Sequence, residues 1–141
     1  MSTQIPLVST TGIWYGYFEA QEKPGDNQSH ILDVSAPEAF GNDTLFSTSG
    51  AGVALTHRAV VNVDVHATCK HEVAIERTLG VSVDKAGTIL ERGQSIFVAG
   101  RGNSAYQGIL ESGHVVKTFV QAPGDSIAIL DGYISVSATP I

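Results

Sequence analysis

The densest group of chemically competent side chains is Asp64-x-His66-x-x-Cys69-x-His71-Glu72. Carboxylate, imidazole and thiolate are the donors that hold zinc. Strand alternation puts Asp64 and His66 on one face, while Cys69 and His71 fall past an expected turn. A structural zinc site ordinarily takes four ligands, often two of them cysteines. The chain has a single cysteine, Cys69. The expectation is therefore no metal and no cofactor, with these residues serving as ordinary polar groups.

Other catalytic patterns fail on particular residues. The metal-binding cupins use two histidines and a glutamate at close spacing, followed by a later histidine. Here Asp64 stands in the first position, five residues separate His66 from Glu72, and no histidine follows Pro123-Gly124. Small all-β nucleotide hydrolases have a comparable length, but their glycine-rich tail and Ala-Arg-Ser-Ser segment are missing, and Leu130-Asp-Gly-Tyr133 only echoes them. No Gly-x-Ser-x-Gly elbow occurs. Gly100-Arg-Gly-Asn-Ser104 is glycine-rich but leads into a strand rather than a helix N-terminus, so it reads as a loop and not a phosphate cradle. The chain is expected not to be an enzyme.

Aromatic residues crowd near the N-terminus, at Trp14, Tyr15, Tyr17 and Phe18. In a half-buried strand one set is core and the other exposed. Exposed aromatic residues beside Gly16 make an assembly patch or a sugar-stacking platform. Trp14, Tyr15 and Tyr17, with the acids Glu19, Glu22 and Asp26 that follow them, are the candidate interface residues.

The elements that must position these groups are strands. Period-two alternation dominates the sequence. Over 53–66, Val53, Leu55, His57, Ala59, Val61, Val63 and Val65 share one face, which predicts a long strand or one that bends partway. Gly12–Ala20 and His71–Leu79 alternate as well, and Val81–Val83 continues the latter. Thr88–Leu90 and Ser95–Ala99 flank a turn at Glu91-Arg92-Gly93-Gln94. Gly113 predicts a hairpin between 105–112 and 114–121, and Asp131-Gly132 another between Ser126–Leu130 and Tyr133–Ser137. Pro123-Gly124-Asp125 predicts a turn. The capping-box spacing Ser35-Ala-Pro-Glu38 predicts one short helix to about Phe40. Residues 21–30 and 41–52 read as loops. Eight or nine strands of this kind predict an all-β fold, an antiparallel β-sandwich of jelly-roll or Greek-key type with at most one short helix. One domain spans 1–141, with 1–11 as an N-terminal arm.

Composition narrows the function classes. Only 16% of the 141 residues are charged, against roughly 25% in ordinary domains. Acids outnumber bases 14 to 8, a net charge of −6. Six of those acids and one base, Lys23, lie in the first fifty residues. No Lys/Arg cluster marks a nucleic-acid footprint. No apolar run approaches the roughly 20 residues of a membrane span. One cysteine excludes an intrachain disulfide, and the N-terminus shows no signal-peptide pattern, so synthesis in a reducing cytoplasm is expected.

Two segments, Gly100-Arg-Gly-Asn-Ser-Ala-Tyr-Gln-Gly-Ile-Leu110 and Ala122-Pro-Gly-Asp-Ser-Ile-Ala-Ile-Leu-Asp-Gly-Tyr-Ile-Ser-Val136, carry a family resemblance. With the low charge and the strand pattern they resemble jelly-roll capsid cement (decoration) proteins of tailed bacteriophages. The resemblance implies a structural virion protein made in the host cytoplasm. It would bind the capsid exterior, cement neighbouring major capsid protein subunits, and act as a homo-oligomer, the dimer favoured over the trimer. It implies no nucleic-acid or membrane partner. The acidic first fifty residues would face a basic shell surface, and Gly12–Ala20 would offer an edge strand to a partner. The alternative is a carbohydrate- or receptor-binding module, such as a fibre tip, which predicts exposed Trp14 or Tyr106 near Asn, Asp or Arg101.

Overall fold

The computed structural model describes residues 10–70 and 76–141. Most of the expected N-terminal arm lies outside the described residues, as do His71 and Glu72. The strands are β1 (Gly12–Phe18), β2 (Gln21–Lys23), β3 (His30–Ile31), β4 (Ser35–Gly41), β5 (Phe46–Ser49) and β6 (Gly52–Leu55). They continue as β7 (Ala59–Cys69), β8 (Thr78–Lys85), β9 (Thr88–Ile96), β10 (Arg101–Leu110), β11 (Val115–Gln121) and β12 (Ile127–Pro140). All pair antiparallel, in two sheets. The first runs β10-β7-β12-β1-β4 with β2 beside β12; the second runs β5-β6-β11-β8-β9 with β3 beside β11.

Alternation explains the sandwich. Ala59, Val61, Val63, Val65 and Ala67 of β7 and Ile134, Val136 and Ala138 of β12 turn inward from the first sheet. Val53, Leu55, Leu79, Val81, Val83, Val116 and Val120 meet them from the second. Burying each of the Val, Leu and Ile side chains contributes about 1.5–3 kcal/mol, so the apolar face of these strands is committed to the core. Trp14 lies across the gap between the sheets, 1% exposed, its Nε1 donating to Thr48 Oγ1 at 3.2 Å. The result is the antiparallel β-sandwich that the alternation predicts.

Connections depart from the expected ones, each for a local reason. The alternating run 53–66 is two strands in different sheets. β6 ends at Leu55, the chain bends through Thr56-His57-Arg58, and β7 enters the other sheet, leaving His57 exposed. Gly113 likewise sits in a crossover and not a hairpin, because β10 pairs with β7 in the first sheet and β11 with β8 and β6 in the second. Asp131-Gly132 is no turn: β12 runs through it unbroken, with a bulge between Ile129 and Asp131. β9 similarly runs through the expected turn at 91–94, with a register shift opposite Leu79/Val81 and Gly93 at φ 64°. The tight hairpin there is Ala86-Gly87, between β8 and β9, with φ of 55° and 98°. Both central residues have φ > 0, as a two-residue primed turn needs. The turn at Pro123-Gly124-Asp125 forms as expected, Asp125 N–H donating to Pro123 O.

The expected helix at Ser35–Phe40 is instead strand β4, paired with β1 at the edge of the first sheet. Pro37 offers no N–H, which an edge strand tolerates. Ala36, at φ 49°, lies where the register slips between Tyr15 and Tyr17. Helical structure among the described residues is one 3-10 turn, Asp43–Leu45. β1 is not the expected edge strand either: β12 and β4 flank it, so its backbone offers nothing to a partner. The expected loops at 21–30 and 41–52 hold β2, β3, β5 and the start of β6.

Two substitutions test this packing. Gly132 has φ 154°, and a Cβ there would collide with the His66 carbonyl and approach Ala67 Cα to 2.8 Å. Gly132→Ala is expected to cost at least about 2 kcal/mol in urea unfolding. Thr118 is buried on the inner face with no partner for Oγ1. Thr118→Val removes that unsatisfied hydroxyl and should raise stability by about 1 kcal/mol, read as a higher urea midpoint.

Candidate functional site

Strand register builds a site on the outer face of the first sheet. In one row across the strands stand Asn103, His66, Tyr133, Tyr17 and Ser35. The next row is Ala105, Asp64, Ser135, Tyr15 and Glu38, and the one after is Gln107, Asn62, Ser137, Ile13 and Phe40. Side chains on one face of paired strands stand about 5 Å apart, close enough for rings to touch.

They do touch. Tyr15 stacks on Tyr133 with centroids 5.4 Å apart and planes 14° apart, and Tyr133 stacks on His66 at 5.8 Å and 27°. Tyr17 meets Tyr15 edge-on at 5.0 Å. His66 Nδ1 bonds Asn103 Oδ1 at 2.6 Å, which fixes the nitrogen as the donor and orients the ring. Burial, then the neighbouring Tyr17 and Tyr133, push the Tyr15 hydroxyl above its ordinary pKa, so it stays protonated. Beside the stack is an open depression of about 570 Å³ lined by Tyr15, Asp64, Asn103, Ala105, Tyr133 and Ser135. Ile13, Tyr17 and Phe40 remain 41%, 50% and 53% exposed on the same side.

The six candidate interface residues divide. Trp14 is a core residue and cannot touch a partner. The reason is parity: β1 turns Trp14, Gly16 and Phe18 inward, and Ile13, Tyr15 and Tyr17 outward. Tyr15 and Tyr17 lie in the site. Glu19 follows β1, and Glu22 lies on β2 opposite Ala128, beyond the bulge of β12. Asp26 lies further on, bridged to Pro123. These three acids form an exposed end adjoining the tyrosines rather than part of them.

The Asp64–Glu72 group is split as well. Asp64 and His66 point outward, while Cys69 is buried in the core opposite Ile129. Among the described residues no group of three His, Cys, Asp or Glu side chains can hold a metal ion. Tyr106 is only partly exposed and packs against the core, and Arg101 stands exposed on the outer face at the start of β10, a segment expected to be a loop. Sequence reading missed Tyr133, Asn103 and Ser135. Outward alternation of Asn62, Asp64 and His66 was visible, but which strands flank them was not.

At the acidic end, Asp26 Oδ1 accepts from His30 Nε2 at 2.7 Å and from the Gln28 N–H at 3.1 Å. The hydrogen bond from His30 is the main reason that the Asp26 carboxyl lies below its ordinary pKa. A carboxyl so lowered adds stability above its unfolded value of about 3.9, and that stability is lost as pH falls through the folded pKa. In a carbon-13 NMR titration the Asp26 midpoint should therefore lie below about 3.9 and rise in His30→Ala. An unchanged midpoint in the variant would show that the bond is not the cause.

No protein-family model and no curated protein matches the chain in sequence. Its fold does match solved structures. Murine APRIL at pH 8.0 superposes with a TM-score of 0.65 at 9% identity, over 91% of this chain and 98% of that one. The Eiger TNF from S. frugiperda superposes with a TM-score of 0.52 at 12% identity, over 88% and 90%. At such identities the likeness concerns the jelly-roll β-sandwich fold alone.

Proposed function

We propose that this chain is a non-enzymatic structural virion protein that docks on the exterior of a tailed-phage capsid. There it would cement neighbouring major capsid protein subunits. The observation that carries a docking role is the outer face of the first sheet. It spans five strands, sets Ile13, Phe40 and four ring side chains toward solvent, and among the described residues nothing of the chain covers it. Tyrosines with exposed aliphatic neighbours are what protein interfaces enrich. The family resemblance of residues 100–110 and 122–136 supplies the finer reading, a shell surface as partner. The neighbouring acidic end, with Glu19, Glu22 and Asp26, suits a basic shell. Contacts to several subunits from a homo-oligomer, the dimer before the trimer, would convert modest affinities into firm attachment.

A second reading, carbohydrate binding, draws on the depression beside Tyr15 and Tyr133. The ring geometry weighs against it. A sugar stacks on a free aromatic face, but here Tyr15, Tyr133 and His66 lie face to face with one another.

Co-sedimentation with purified expanded capsids tests the proposal, with a glycan array alongside. The chain should pellet with the shells, and the double variant Tyr15→Ala/Tyr133→Ala should do so at least tenfold more weakly, since interface tyrosines are often worth about 2 kcal/mol each. Glycan binding without shell association would overturn it.

A further inference from the structure

We infer that the notch over Asp64 receives an arginine side chain from the docked protein partner. This rests on the docking role proposed above and names the chemistry at its centre. Asp64 is exposed on β7, between Ala105 on the edge strand β10 and Ser135 on β12. Both neighbours are small, whereas Tyr15 and Tyr133 rise beside them, so the carboxylate sits in a depression of about 570 Å³ rather than on a ridge. The ion pairs among the described residues are Lys23–Asp33, His30–Asp26 and Arg58–Glu111, and none involves Asp64. Arg101 is on the same face but beyond the His66–Asn103 bond, opposite Thr68. An acid that none of these ion pairs engages therefore stands on β7 between two small neighbours and beside the aromatic stack.

The lining selects the cation. A guanidinium is planar and carries five N–H donors. Asp64 supplies two carboxylate oxygens for a paired contact, and Ser135 and the two tyrosines supply hydroxyl acceptors around it. The notch is wide and shallow for a compact ammonium, which has three donors and holds its water strongly. A second copy of this chain is a poor donor. It carries the same net −6, so two copies repel as a whole; of its four arginines, Arg58 is paired with Glu111 and Arg77 is buried, which leaves Arg92 and Arg101 exposed. Charge complementarity therefore favours a different, basic protein as the donor.

N-acetyl-arginine-methylamide is the probe, titrated against the whole chain and followed by amide NMR. Its neutral isostere, the citrulline analogue, is the control. Saturable shifts at Ala105, Tyr133 and Ser135 are expected, at least fivefold weaker with the citrulline analogue and in Asp64→Asn. Equal effects of the two probes, or shifts confined to Glu19, Glu22 and Asp26, would overturn the inference. So would self-association that is lost in both Asp64→Asn and Arg101→Gln, which makes a second copy the occupant. Capsid co-sedimentation separates the two claims. Retention of shell binding by Asp64→Asn, with loss in the tyrosine double variant, sinks this inference and leaves the docking role. Arginine binding at the notch without any shell association does the reverse.

Discussion

β12 carries the first sheet. Over fourteen residues it pairs with β7 on one side and with β1 and then β2 on the other. Its bulge at Leu130 is the constraint on which the site depends. Before the bulge the odd residues Ile127 and Ile129 face the core; after it the even residues Ile134, Val136 and Ala138 do. A strand with strict period-two alternation would keep the odd positions inward throughout and bury Tyr133 and Ser135. The extra residue reverses the phase and turns both outward. Gly132 serves the same feature, because the backbone there passes too close to the His66 carbonyl for a side chain.

From that phase reversal the outer face follows. Once Tyr133 is outward, register places it between His66 and Tyr17, with Tyr15 on the diagonal. Four rings then shield one another, leaving edges and hydroxyls for a partner. The same register sets Asp64 between two small residues. One bulge thereby yields both a firm aromatic ridge and the charged notch beside it. The jelly-roll scaffold, shared at 9–12% identity with proteins of other kinds, says nothing about which partner comes.

Legibility in the sequence depended on range. Which residues share a face was readable wherever alternation was uninterrupted, as in β1 and β7, because the pleat alternates locally; which face of β1 turns inward was not. The turn signal at Pro123-Gly124-Asp125 held, but others misled because Gly and Asp mark any place where the backbone needs unusual dihedrals. Asp131-Gly132 and Gly93 serve bulges inside strands, and Gly113 a crossover. The capping-box spacing at Ser35 failed because β1 offered β4 a hydrogen-bonded ladder, whereas a helix of one or two turns is marginal without packing.

The sequence by itself determined the fold class, the alternation of apolar residues along uninterrupted strands, the scarcity of charge and the acidity of the first fifty residues. These are sums or local periodicities, and each residue contributes to them alone. The tertiary structure decided that Trp14 is core while Tyr133 joins Tyr15, that Cys69 parts from Asp64 and His66, and that Asp64 stands in a notch. Those facts depend on which strands lie side by side and in what phase. Pairing is set by burial across two whole sheets at once, a property that no single stretch of sequence carries.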